Sequence, residues 1–164
     1  MKNQTARLII VCLFGLYCSV SGAAEKKTIG WVEPISIDGG KFTFLAKIDT
    51  GADGLSINAQ DVRQFEKNGQ NWVSFIITNG KGREHLIMKP IISYVRVKRK
   101  EMKSERRPVI MMDVCLDQHH SEEKVNLVNR GNYKYQGLIG RRFLEGHFLV
   151  DSEITNTTKP KCKF

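Results

Sequence analysis

Apolar and polar positions alternate with a period of two through much of this chain, the mark of strands that turn one face to a core and the other to solvent. The clearest run is residues 41–48, where Phe42, Phe44, Ala46 and Ile48 fall on one face. Residues 29–37 form another strand-like run, and Asp38, Gly39 and Gly40 between the two are a hairpin signal. Leu55, Ile57 and Ala59 alternate again, and residues 61–67 read as a helical turn ended by Asn68 and Gly69. Residues 71–78 predict the next strand, with Phe75, Ile77 and Trp72 for burial, Trp72 as packing rather than recognition. After a turn at residues 79–82, the Ile-, Val- and Tyr-rich stretch 83–100 is interrupted by Pro90, which calls for a bulge or an edge position.

Further along, residues 109–116 and 125–128 predict strands around a polar loop, residues 117–124, in which His119 and His120 are ordinary solvated side chains. Residues 137–140 predict a short strand ending in glycine, Arg141 starts a helical turn, and residues 148–151 close the pattern. From Ser152 onward the tail is polar and expected to be loose. The fold class predicted is therefore mainly β, with one short C-terminal helix.

The first 24 residues depart from this pattern. Lys2 and Arg7 precede an apolar run, residues 8–17, followed by small residues up to Ala23 and Ala24. That is the order of a secretory signal peptide, and the run is shorter than the roughly 20 residues a membrane helix needs. An uncleaved anchor is the other reading. Cleavage leaves a domain at residues 25–152 and a polar tail at 153–164, in a periplasmic or secreted compartment, with no stable membrane span.

Charge and cysteines change the picture only a little. The chain carries 26 Lys plus Arg against 17 Asp plus Glu, and without Lys2 and Arg7 the balance is 24 against 17. A basic surface of this kind suits anionic envelope surfaces or acidic peptides, and no nucleic-acid motif interleaves the lysines. Cys115 and Cys162 are the cysteines left after cleavage, and export permits them to pair; Cys115 reads equally well as a small core residue.

Candidate chemistry gathers where the alternating run 41–48 stops. Asp49 stands at a strand end, followed by Thr50, whose hydroxyl can bond locally or across an interface. Gly51 can supply positive φ or a close backbone approach. Ala52 and Asp53 complete the turn. Ordinary turn chemistry explains an Asp near a Gly just as well, so the second element matters: GLIGRRFL, residues 137–144, an apolar strand, Gly140, then Arg141 opening a helix.

Together KIDTGAD and GLIGRRFL resemble the retropepsin-like aspartic peptidases, and in particular a bacterial retropepsin-like family labelled ATP-dependent zinc proteases. The likeness extends through GWVEPISIDGGKFTFLAKIDTGAD, SINAQDVRQFEKNGQNWVSFII, ERRPVI, VNR and YQGLIGRRFLEGHFLVD. It implies a closed β-barrel of the single-lobe acid-protease type. Asp49 is then the catalytic acid, Gly140 the support of its loop, and Asp53 and Arg141 an ion pair behind it. One departure is Asp53, Gly54 and Leu55, where many members carry a basic residue and small hydroxyl residues.

Peptide hydrolysis by this chemistry needs two carboxylates around one water. No second Asp-Thr/Ser-Gly triplet occurs in the chain, since Asp151 and Ser152 lead into Glu153 and Asp38 is followed by Gly39. The expected partner is Asp49 of a second copy, which makes a homodimer the active form. The substrate is a peptide or protein, acidic if the basic excursion at residues 98–107 or the family's association with glutamate-adding ligases is a guide. Either that excursion or the 79–82 turn could close over it. A peptide-binding module of the same fold that hydrolyses nothing is the alternative. No metal and no cofactor are expected: the histidines lack zinc-ligand spacing, and no glycine-rich loop ends in Lys and Ser or Thr for ATP.

Overall fold

The computed structural model describes residues 25–99, 102–129, 131 and 134–164. The expected signal peptide, residues 1–24, lies outside the described residues. The elements, in order, are β1 (Lys27–Gly30), β2 (Val32–Ile37), β3 (Phe42–Ile48), β4 (Leu55–Asn58), β5 (Gln60–Lys67), β6 (Gln70–Thr78), β7 (Glu84–Pro90), β8 (Ser93–Arg99), β9 (Met102–Leu116), β10 (His119–Val128), β11 (Gly137–Ile139), α1 (Arg141–Leu144) and β12 (Phe148–Asp151). Among the described residues the chain is mainly β with one short helix, as its patterning predicts.

Six strands close on themselves. Their order is β10-β4-β11-β3-β2-β9, and β9 pairs back to β10, so the barrel has no free edge between them; β8 extends it from the outer side of β9. The β2–β3 hairpin sets Ile35 against Phe44 and Ile37 against Phe42. Its turn needs left-handed backbone at Asp38 (φ 52°), Gly39 (φ 66°) and Gly40 (φ 79°), which glycine adopts without a Cβ penalty. On β3 the alternation is complete: Phe42, Phe44, Ala46 and Ile48 are buried, while Thr43, Leu45 and Lys47 are exposed. Ile57, Ile110, Met112, Val114, Val125, Leu127 and Ile139 from the other barrel strands meet that face. Each such side chain, fully buried, contributes about 1.5–3 kcal/mol.

A three-stranded antiparallel sheet, β5-β6-β7, stands beside the barrel and contributes Val73, Phe75, Ile77 and Ile87 to the same core. Pro90 ends β7, an edge strand, and the chain crosses to the other sheet before β8. His85 ties this sheet to the barrel: its Nε2 lies 3.1 Å from Asp38 Oδ2 and its ring stacks on Phe42.

Four local expectations are corrected. Residues 61–67 are strand, not helix: the register slips between Gln60 and Arg63, and Asp61 is left-handed at φ 49°, so a bulge breaks the period of two. Asn68 (φ 52°) and Gly69 (φ 72°) then form a two-residue hairpin turn rather than a helix stop. The polar stretch 117–124 is mostly strand, a two-residue turn at Asp117 and Gln118 followed by β10, whose outward positions are polar. The 29–37 run is split at Trp31, because β1 leaves the barrel to pair in parallel with β12.

The fourth correction concerns the tail. Residues 153–164 are polar, yet they are tied down rather than loose. Glu33, buried inside the fold, accepts bonds from the Thr157 and Thr158 amides (3.0 and 2.9 Å) and from both hydroxyls (2.6 and 2.9 Å). Cys162 is disulfide-bonded to Cys115 on β9, with Cα atoms 6.0 Å apart. The Glu33 anchor could not be placed from sequence, because it lies far away along the chain, whereas the Cys115–Cys162 bond is one of the two readings left open for those cysteines.

Candidate active site

Three segments meet at the end of β3. The Asp49 amide donates to the Ile139 carbonyl (2.8 Å) on β11, which runs parallel to β3 with Ile139 beside Ile48. The Ala52 amide returns to the Asp49 carbonyl at 3.1 Å and closes the turn. From beyond β11, the first two amides of α1 cap it: Arg141 donates to Ala52 (2.9 Å) and Arg142 to Asp53 (3.2 Å). Free amides at a helix start are satisfied by the turn's own carbonyls. Gly140 makes this contact possible, since a Cβ there would lie 2.8 Å from the Ala52 oxygen.

Within the turn, Asp49 Oδ1 accepts the Gly51 amide at 3.1 Å, an Asx-type bond that fixes the side chain. Gly51 is not left-handed; its role is close approach, a Cβ there falling 3.2 Å from Asp49 Oδ1. The other oxygen, Oδ2, faces Lys47 Nζ at 3.6 Å, and the Asp49 side chain keeps 28% of its exposure. Thr50 is exposed beside it.

Arg141 and Arg142 divide their work in a way the resemblance does not foretell. Arg141 Nη1 donates to the Thr50 (3.1 Å) and Gly51 (3.0 Å) carbonyls and so braces the acid turn from outside. Its Nη2 reaches Asp53 only at 3.9 Å. The close partner of Asp53 is Arg142, through Nε at 2.9 Å and through Nη2. That bond holds the Asp53 carboxyl below the usual carboxylate range. The expected Asp53–Arg141 pair is therefore chiefly an Asp53–Arg142 pair.

Beyond Asp53 a cleft of about 550 Å³ opens along β4, β8, β9 and β10, lined by Leu55, Val95, Val109, Met111, Lys124 and Asn126 among others. The candidate flap elements differ in position: the 79–82 turn joins β6 to β7 in the side sheet, whereas the base of the β8–β9 hairpin lends Ser93, Val95, Val109 and Met111 to the lining of this cleft. The tip of that hairpin, residues 100 and 101, lies outside the described residues.

Among the described residues no three His, Cys, Asp or Glu side chains gather to hold a metal ion. His119, expected as an ordinary solvated side chain, is instead half-buried: it stacks on His147 at 3.8 Å between ring centres and packs against Phe143 and Phe148. Two features were missed from sequence: Arg142 as the partner of Asp53, and Lys47 beside Asp49. The second was within reach, because residues two apart on a strand share a face.

A closed barrel with an acid turn braced from below by a glycine-led helix defines a retropepsin-like lobe. The chain belongs to the RimB-like family, described as retropepsin-like aspartic endopeptidase, whose family model matches residues 28–161. A structure of a protein of unknown function from Legionella pneumophila superposes with a TM-score of 0.67 at 29% identity, covering 82% of this chain and 100% of that one. Two proteins named probable alpha-L-glutamate ligase are also similar. That of Shewanella halifaxensis is 31% identical over 109 residues and that of Shewanella pealeana 30%, in each case over 65% of this chain and 24% of the relative. The chain thus spans about a quarter of the length of those relatives.

Proposed function

We propose that this chain is an exported aspartic endopeptidase whose active form is a homodimer, with Asp49 from each subunit flanking one water. The observation that carries the reading is the state of Asp49: one partly exposed carboxylate, fixed by its own turn and braced by two other segments. Rigid placement of a carboxylate at a surface turn is what a dyad across a two-fold axis requires.

In that dyad one carboxylate takes a proton from the water as its oxygen attacks the peptide carbonyl carbon, and the other, protonated, gives its proton to the carbonyl oxygen. The resulting gem-diol collapses: the C–N bond breaks, the departing nitrogen takes up the proton first removed, and one diol hydroxyl returns its proton to the other carboxylate, which leaves a carboxylic acid and a dyad again holding one proton. Two facing acids hold one proton between them because like charges at that distance repel. In the proposed dimer Thr50, exposed next to Asp49, bonds across the axis.

Two further parts of the reading rest on separate support. Periplasmic or secreted localisation is supported by the leader-like first 24 residues and by the Cys115–Cys162 disulfide, since such bonds persist in oxidising compartments. An acidic, glutamate-containing peptide as substrate is supported by the relatives named probable alpha-L-glutamate ligase, in which a segment like this one is joined to a much longer chain.

The test is cleavage of a peptide library by the mature protein together with its mass in solution. Pepstatin-sensitive cleavage by a dimer, abolished in Asp49→Asn, is expected. Turnover retained by Asp49→Asn, or by a strict monomer, overturns the dyad; a dimer that binds peptide without cutting it establishes the binding module instead.

A further inference from the structure

We infer that Lys47 is a specificity-determining residue that receives an acidic side chain next to the scissile bond; the inference rests on Asp49 being the site's acid. Alternation on β3 exposes Lys47 as the strand's last outward-facing side chain before the turn, on the face away from buried Ala46 and Ile48. Asp49 stands two residues on, and the two charged groups lie 3.6 Å apart. Leu138, beside Lys47 on the parallel strand β11, is half-buried between buried Gly137 and Ile139 and shares that face. The ammonium thus sits at the lip of the acid turn with an aliphatic neighbour alongside.

Stability does not account for a lysine at this place. Exposed ion pairs contribute little, and at 3.6 Å this one is a contact rather than a closed hydrogen bond. Lysine carries three donors, and Asp49 Oδ1 is already bonded to the Gly51 amide, so Lys47 retains donors for a second carboxylate. In a two-fold dimer one Lys47 stands on each side of the paired acids. A substrate strand crossing the axis brings the side chains on either side of its cleaved bond toward the two ammonium groups. A carboxylate complements that charge; a neutral amide forms weaker bonds there.

Two measurements test it. In the first, kcat/KM is compared on a glutamyl peptide and its glutaminyl counterpart, for the wild-type chain and Lys47→Gln. The ratio between the two peptides is expected to fall about 10- to 100-fold in the variant, the range of a hydrogen bond to a charged group. An equal loss on both peptides would show that Lys47 serves Asp49 alone and overturns the inference. In the second, calorimetry follows the binding of uncleaved pentaglutamate and pentaglutamine peptides to Asp49→Asn and to Asp49→Asn/Lys47→Gln. Preference for pentaglutamate that disappears in the double variant supports the inference even if no form of the protein cleaves peptide, in which case only the proposed hydrolysis fails. Equal binding of both peptides by Asp49→Asn overturns it even if the enzyme is active.

Discussion

Gly140 lies against the carbonyl of Ala52 so closely that a methyl group has no room: a Cβ there would stand 2.8 Å from the Ala52 oxygen and 2.8 Å from the Asp53 carbonyl carbon. Both are backbone atoms of the acid turn and cannot swing aside. Gly140→Ala is therefore expected to push α1 off the turn and destabilise the domain by about 1–3 kcal/mol. Gly54→Ala is the control, since nothing lies within 4 Å of its Cβ and its φ is not left-handed; it should stay within about 0.5 kcal/mol of the native chain. Urea unfolding of the three proteins decides, and equal stability would show that the turn is not braced through this contact.

The two arginines after Gly140 make separable predictions. Arg141→Met removes both donors from the Thr50 and Gly51 carbonyls while leaving the α1 amides in place. Amide exchange in residues 49–53 should then speed up by about tenfold, the effect of losing one to two hydrogen bonds. Arg141→Lys should restore part of that protection. Arg142→Met should leave exchange in the turn less affected and return the Asp53 carboxyl upward toward the ordinary carboxylate range, because the Arg142 bond is what holds it down. Hydrogen exchange by NMR and a carbon-detected titration of Asp53 separate the two roles.

How much of this was legible in the sequence follows from which forces are local. β3 and its hairpin could be read because burial and alternation coincide on every residue from Phe42 to Ile48, and because Asp38, Gly39 and Gly40 occupy the left-handed positions the turn demands. The acid turn could be read from Asp49, Thr50, Gly51 and the distant Gly140. β5 could not, since a bulge near Asp61 shifts its register and erases the period. β10 was hidden by polar outward positions, with buried residues only from Val125 onward. Which arginine meets Asp53 depends on how α1 sits over the turn, a tertiary relation with no trace in residue order. The tail's anchor depends on Glu33, whose burial on β2 could not be seen from a charged residue in a strand.

His119 carries a pH prediction. Its imidazole is half-buried against Phe143 and Phe148 and stacks on His147 at 3.8 Å. Burial, and then the neighbouring His147, push its pKa down from the ordinary value near 6.5, with His120 adding to this and Glu123 opposing it. A group that binds its proton less readily when folded costs nothing above the unfolded pKa. Stability is lost as pH falls from there through the lowered folded value. The native chain should therefore lose stability from about pH 7 downward through the histidine range, and His119→Phe, which keeps an aromatic ring in the stack, should flatten that part of the profile. Unfolding free energies at half-unit pH steps test it; parallel profiles for the two proteins would rule it out.

Glu33 makes the complementary case at lower pH. Burial pushes its pKa up, but the bonds from Thr157, Thr158 and Gly30 outweigh this and the net shift is downward. Its carboxylate accepts the Gly30 amide at 2.7 Å as well as the four tail bonds, so it joins β1 to the tail that Cys162 also anchors. With a lowered folded pKa, the contribution is complete above the unfolded value, near 4.3 for a free glutamate, and disappears as pH falls through the folded one. Glu33→Gln should cost about 2–3 kcal/mol at neutral pH, because an amide offers one acceptor oxygen where the carboxylate offers two. That deficit should shrink as the native chain is itself protonated. Unfolding of both proteins between pH 7 and pH 3, with the disulfide intact and then reduced, measures it: the deficit should narrow with acid, and reduction should lower the stability of both by about 2–4 kcal/mol as the 47-residue separation is released. A Glu33→Gln deficit independent of pH would mean that the clasp holds the tail by shape rather than by charge.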